Sequence, residues 1–164
     1  MDILDLVQYV RQHHALEHAT INLLGRRYPY LSLAGRSTHV GFHIYGQLPT
    51  EEVASAASEG LVRLQQGESY LAYHPRCGTN LAVTSVLAGT AAFGATLGRS
   101  RSKLERLPMA VTAATVAALL SRPLADRIQQ RITTTPEVDG LYIAEVTRHE
   151  QGRFIVHKVR IGRE

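Results

Sequence analysis

Two stretches of the chain, 78–98 and 107–121, contain no charged residue. They read GTNLAVTSVLAGTAAFGATLG and LPMAVTAATVAALLS, with the basic segment RSRSKLER between them. Apolar surface on this scale has to be covered by protein or by lipid, and the pair predicts a helical hairpin. The first run matches the roughly 20 residues that a bilayer-spanning helix needs. Its driving force is modest: Leu, Val and Phe each favour insertion by about 0.3–0.6 kcal/mol, and it offers only Leu81, Val83, Val86, Leu87, Phe93 and Leu97. Two features favour the membrane: the Gly94/Gly98 step and the Ala110/Ala114/Ala118 ladder, small residues at the spacing that lets membrane helices approach closely. The expected contact runs through Gly94, Gly98, Ala110 and Ala114. The alternative is an alanine-rich pair buried in a soluble domain, which a mean hydropathy of −0.09 permits. Cations stand on both sides of the second run, so orientation is not legible.

The remaining segments predict a mixed α+β chain. Positions 3–24 carry Leu4, Val7, Val10, Leu16, Ile21 and Leu24 at helical spacing, with Gly25 as a stop. The segment 28–48, rich in β-formers and punctuated by Gly35, Gly41 and Gly46, predicts one or two short strands. Thr50 is the expected cap of a helix running to about Gln66, with Glu51 and Glu52 at its positive end. GESYLAYHP predicts a turn and a short strand ended by Pro75. The C-terminal stretch alternates apolar and polar residues on both sides of EQG. Tyr142, Ala144, Val146, Phe154, Val156 and Lys158 illustrate one parity, and Leu141, Ile143, Ile155, Val159 and Ile161 the other, as in a water-exposed β-hairpin. With 164 residues the expectation is a single domain, 1–164. Within it, 1–78 forms a metal-site region with an N-terminal helix and short strands, 79–132 the Ala/Gly-rich hairpin, and 133–164 the β-hairpin.

The chemistry concentrates in two places. In RQHHALEHATINLL, His14 and His18 stand four apart, which on a helix brings their Cβ atoms to about 5–6 Å. Two imidazoles so placed reach one metal ion. Glu17 completes His-x-x-Glu-His, the reverse of the zinc-protease order, and supplies a carboxylate able to act as a base. The plain alternative is a polar helix stripe or a core histidine bonded to a carbonyl. The second place is HPRCGTN, 74–80. Cys77 precedes the first apolar run, whose expected N-cap is Thr79, and a helix N-terminus favours the thiolate. His74, three residues earlier, is close enough to join. The alternatives are a buried apolar cysteine and an exposed histidine beside proline. A sole cysteine excludes an intramolecular disulfide. His₂Cys with an open position is a catalytic zinc set, whereas four protein ligands close the site.

HHALEHATI and HPRCGTNL, followed at once by apolar helices, resemble an uncharacterised bacterial membrane-protein family, the YqhQ-like proteins, described as metal-dependent enzymes. The match covers roughly residues 10–98, with His14, Glu17, His18, His74, Pro75, Cys77, Gly78 and Thr79 as its specific positions. The chain departs from that pattern in its weaker apolar segments, its Gly-rich insert carrying His39 and His43, and its C-terminal hairpin. The resemblance implies a metal site and no particular reaction.

The remaining histidines read as solvated residues: His39 and His43 sharing a strand face, His13 turned away from His14, and His149 and His157 on the hairpin. The net charge of +4 comes from scattered arginines without interleaved aromatics, so nucleic acid is not an expected partner. The acidic, amphipathic MDILDLVQYV does not read as a cleavable signal. The expectation is therefore a zinc-dependent hydrolase (another divalent transition metal fits the same donors) at the bacterial inner membrane, with cytoplasmic solubility as the alternative. Metal ligands are His14, His18, Cys77 and His74, and Glu17 is the catalytic base. Expected partners are a substrate, with peptide the first class to test, and membrane lipid, and self-association stays open. The rival readings are a structural metal and a reactive thiol at Cys77.

Overall fold

The computed structural model describes residues 2–97, 102–152 and 154–164. They fold as two units: Met1–His74 together with Gln130–Glu164, and Pro75–Gln129. As expected, the chain is α+β.

The first unit is organised around α1, Ile3–Arg27. Asp2 caps it through a reciprocal capping box with Asp5, which satisfies backbone N–H groups that otherwise lack partners. The helix passes through Gly25 and ends before Tyr28–Pro29. A mid-helix glycine costs only about 1 kcal/mol relative to alanine, whereas the residue before proline is driven out of the α region. From Gln12 to Leu24 nearly every side chain of α1 is buried, so this is the central helix of the unit. It packs against α2, Thr50–Gln65, and against strands β1, Ala34–Thr38, and β2, Gly41–Tyr45. At Gly60 the helices approach so closely that an added Cβ would lie 3.1 Å from Ala19 Cβ. The N-cap of α2 is Pro49, without a side-chain cap bond, and Thr50 is already helical. Glu51 and Glu52 occupy its first turn as expected. The segment expected as a strand before His74 is a 3₁₀ turn, Ser69–Ala72.

Strands β3, Leu141–Gln151, and β4, Phe154–Arg163, pair as the anticipated hairpin, with Gly152 in the left-handed region at φ 61°. The hairpin is not a free, solvated element. β4 also pairs with β2, giving an antiparallel sheet of order β1-β2-β4-β3. Val156, His157 and Val159 are consequently buried. A bulge between Ile143 and Glu145 shifts the register. It moves Val146 onto the face of Leu141 and Ile143, where it opposes Val159, so strict alternation assigned it to the wrong side. The core joins Leu16 and Leu24 of α1 to Phe42, Ile44, Val53, Leu71, Val138 and Val159.

The second unit is the apolar hairpin, α3, Gly78–Thr96, and α4, Lys103–Leu120, followed by a short α5, Arg122–Ile128. Thr84 and Ser121 share a hydrogen bond of 2.7 Å, and Arg106 donates to the Thr96 carbonyl at 2.6 Å, so the two helices run antiparallel. Their half-buried residues, Val83, Thr84, Leu87, Ala88, Ala91, Ala92 and Ala95 on α3, recur at i, i+3, i+4 and meet Ala110, Ala113, Ala114, Ala117 and Ala118 on α4. Ala110 and Ala114 thus lie where the small-residue ladder predicted. Gly94 does not: it is exposed, and an added Cβ would meet nothing within 4 Å. Gly98 lies outside the described residues. Among the described residues no single helix is long and apolar enough to cross a membrane.

Candidate metal centre

α1 carries two rows of polar side chains, each at a spacing of four. One row is His14, His18 and Asn22. The rings of His14 and His18 lie 4.3 Å apart between centroids. His18 Nδ1 is 2.8 Å from the carbonyl of Ala72, and His14 Nδ1 is 2.9 Å from that of Thr133. A carbonyl only accepts, so each Nδ1 carries the proton and donates it. That tautomer puts the imidazole lone pair on Nε2, the arrangement found in metal-bound histidines whose other nitrogen is held by a carbonyl. Asn22 donates to the carbonyls of Leu71 and Tyr73 at 3.1 and 3.0 Å. This fastens the 3₁₀ segment to α1 and brings the His74 ring to 5.9 Å from that of His18. The first unit therefore unites three of the expected ligands, His14, His18 and His74.

The second row is His13 and Glu17, rotated about 100° by the helical step and directed at β1. Glu17 is buried, and the Ser37 hydroxyl donates to its Oε2. Gly35 makes room for the carboxylate: an added Cβ would lie 2.6 Å from Glu17 Cδ. His13, expected to be solvated, is buried with Nδ1 2.7 Å from the Thr38 carbonyl. Its pKa is lowered chiefly by burial, against the raising influence of that bond, with nearby Arg163 and His39 lowering it further. Asn22 and Ser37 were not singled out from sequence, and Gly35 was read only as punctuation between strands. Asn22 had a legible signal, since it continues the 14, 18 spacing. The roles of Ser37 and Gly35 depend on strand placement.

Cys77 belongs to the second unit, where it is the N-cap of α3 in place of the expected Thr79. Its Sγ accepts the Thr79 N–H at 3.4 Å. The sulfur thus stands at the positive end of a 19-residue helix, where negative charge is favoured. His39 lies in the turn between β1 and β2 and His43 on β2, so they do not share a strand. His157 is fully buried rather than solvated. Its pKa is lowered by burial first and then by Arg148, while the backbone at Leu48 and Gly46 and the Glu51 carboxylate raise it.

An uncharacterised protein of Picosynechococcus sp. (strain ATCC 27264 / PCC 7002 / PR-6) is 39% identical over 135 residues, covering 77% of this chain and 66% of that relative. The chain thus spans just under two thirds of the relative's length. No solved structure matches. Residues 9–146 match the family described as a domain of unknown function, DUF6391. With most of its length matched, the chain belongs to that family.

Proposed function

We propose that the chain is a metal-dependent hydrolase acting at a membrane, with His14, His18 and Cys77 as metal ligands, His74 beside them and Glu17 as the base. The observation that carries the reading is the pair of Nδ1–H bonds from His14 and His18 to backbone carbonyls, which aligns two Nε2 lone pairs on one helix face. Each of His14, His18 and Cys77 offers one ligand atom of the nitrogen or sulfur type that zinc prefers. Cys77 is tethered three residues from His74, so its Cα reaches no farther than roughly 11 Å from that of His74. Zinc held there supplies Lewis acidity and lowers the pKa of water to about 7. Glu17 accepts the proton of the attacking water, its carboxylate oriented by Ser37 and by the space at Gly35. With His14, His18 and Cys77 as its protein ligands, a metal would keep one position for an ester or peptide carbonyl. The resemblance to YqhQ-like proteins points the same way, and the exposed apolar residues of the hairpin support the membrane setting.

The ring of His74 near His18 favours a second reading, a closed structural site with four protein ligands. One experiment separates the two: bound zinc and turnover on ester and peptide panels for the wild type and three variants. Glu17→Gln should retain zinc and lose about 10²–10⁴-fold in rate. His14→Ala and Cys77→Ala should lose zinc. Zinc loss in Glu17→Gln equal to that of His14→Ala would make Glu17 a ligand. A zinc-loaded wild type inert on every panel member would favour the structural site.

A further inference from the structure

The outward surface of the second unit is apolar on both helices. Leu81, Val86, Phe93 and Leu97 of the first run and Leu107, Val111, Leu119 and Leu120 of the second are each more than half exposed. The threonines among them use their hydroxyl protons within their own helices: Thr96 donates to the Phe93 carbonyl, Thr112 to Pro108 and Thr115 to Val111, at 2.7 to 2.9 Å. At the end of the hairpin where α3 begins and α4 finishes lies a cleft of about 560 Å³, within the size range of small-molecule sites. Leu81 and Leu119 wall it with apolar surface, and Arg76 and Arg122 stand in its lining. Asn80, also in the lining, donates through Nδ2 to Asp126 at 3.1 Å, while its Oδ1 is buried without a hydrogen-bond partner.

We infer that this cleft binds the head group of an anionic lipid that carries a hydroxyl, with the acyl chains continuing along the apolar face of the hairpin. Two guanidiniums match the phosphodiester. The unpaired Asn80 Oδ1 requires a donor, which a head-group hydroxyl supplies. The Asp126 carboxylate accepts one hydrogen bond, from the Asn80 amide, through Oδ1 and keeps its negative charge. The inference rests on the membrane setting proposed above, and the cleft shares Cys77 with the proposed metal site.

The test is flotation of the full chain with vesicles of phosphatidylcholine alone and of phosphatidylcholine mixed with phosphatidylglycerol. The wild type should float with both and prefer the mixture. Each arginine close to an anionic surface is worth about fivefold in partitioning. Arg76→Gln/Arg122→Gln should therefore lose roughly twentyfold of the preference while still floating on phosphatidylcholine. Arg127→Gln/Arg131→Gln removes the same charge outside the cleft and should keep most of the preference. Since the chain has no tryptophan, Leu119→Trp adds a reporter at an exposed position. Its emission should shift to the blue with the mixed vesicles more than with phosphatidylcholine. Flotation without head-group preference, or equal loss in the two arginine pairs, would overturn the cleft and leave the membrane setting standing. A wild type that ignores both vesicles, or hides its hairpins in a soluble dimer, would overturn both.

Discussion

Replacing Gly35 by alanine tests the internal support of Glu17. The backbone of Gly35 is not in the left-handed region, so an alanine there meets no conformational penalty and, in a strand, gains slightly in propensity. The cost comes from space. The new Cβ would sit 2.6 Å from Glu17 Cδ and 2.7 Å from its Cγ, about 1 Å inside ordinary carbon contact. An exposed glutamate would swing aside. Glu17 is buried and held by Ser37, so relief requires breaking that bond or shifting β1 from α1. Overpacking of this kind costs about 1–3 kcal/mol. At about 2–4 °C per kcal/mol for a chain of this size, Tm should fall by roughly 2–12 °C. Thermal unfolding followed by circular dichroism reads this directly, with Gly25→Ala as the control. Gly25 is an open site in α1, and alanine there should raise stability by about 0.5–1 kcal/mol. A double-mutant cycle with Glu17→Ala isolates the contact: in that background the Gly35→Ala penalty should largely disappear. A Gly35→Ala protein as stable as the wild type, or a penalty that persists without the Glu17 carboxylate, would refute the reasoning.

Burial lowers the pKa of His157 below the ordinary 6.5, so the unfolded chain binds the proton more readily than the fold does. Stability should then fall as pH drops below about 6.5, by up to about 1.4 kcal/mol per unit from this residue, and urea titrations of His157→Leu across that range should show a shallower slope. In the second unit, Gly94→Leu should leave stability unchanged or raise it by up to about 1 kcal/mol, because its Cβ direction is open and leucine is the better helix former. Ala110→Leu, at a buried contact position, should cost about 1–3 kcal/mol, and calorimetry of the two variants ranks them.

What the sequence revealed was local periodicity. A spacing of four put His14 and His18 on one face of α1, the absence of charge marked the hairpin, and alternation around EQG marked β3 and β4. Features set by non-local partners were not readable. His157 looked solvated because nothing near it in sequence announces that β4 pairs with β2. Val146 was misassigned because one bulged residue reverses every later side chain. The cap of α3 fell to Cys77 rather than Thr79 because a thiol also accepts an N–H, which propensity ranks poorly. His74 was legible only as a neighbour of Cys77. Its approach to His18 depends on Asn22 fastening the 3₁₀ segment.

The pairing of β2 with β4 also governs the order of events in folding. Gly41 aligns with Arg160, and the entire second unit intervenes along the chain. Until β4 arrives, the β1–β2 ribbon has a raw edge and α1 has only part of its sheet to pack against. Such long-separation contacts slow the search and reward it late. Once closed, the first unit is cross-linked by its own distant halves, so neither half should open alone. Amide hydrogens of β2 and β4 should therefore exchange with solvent at a common opening free energy, even though a hydrophobic hairpin separates them in the sequence.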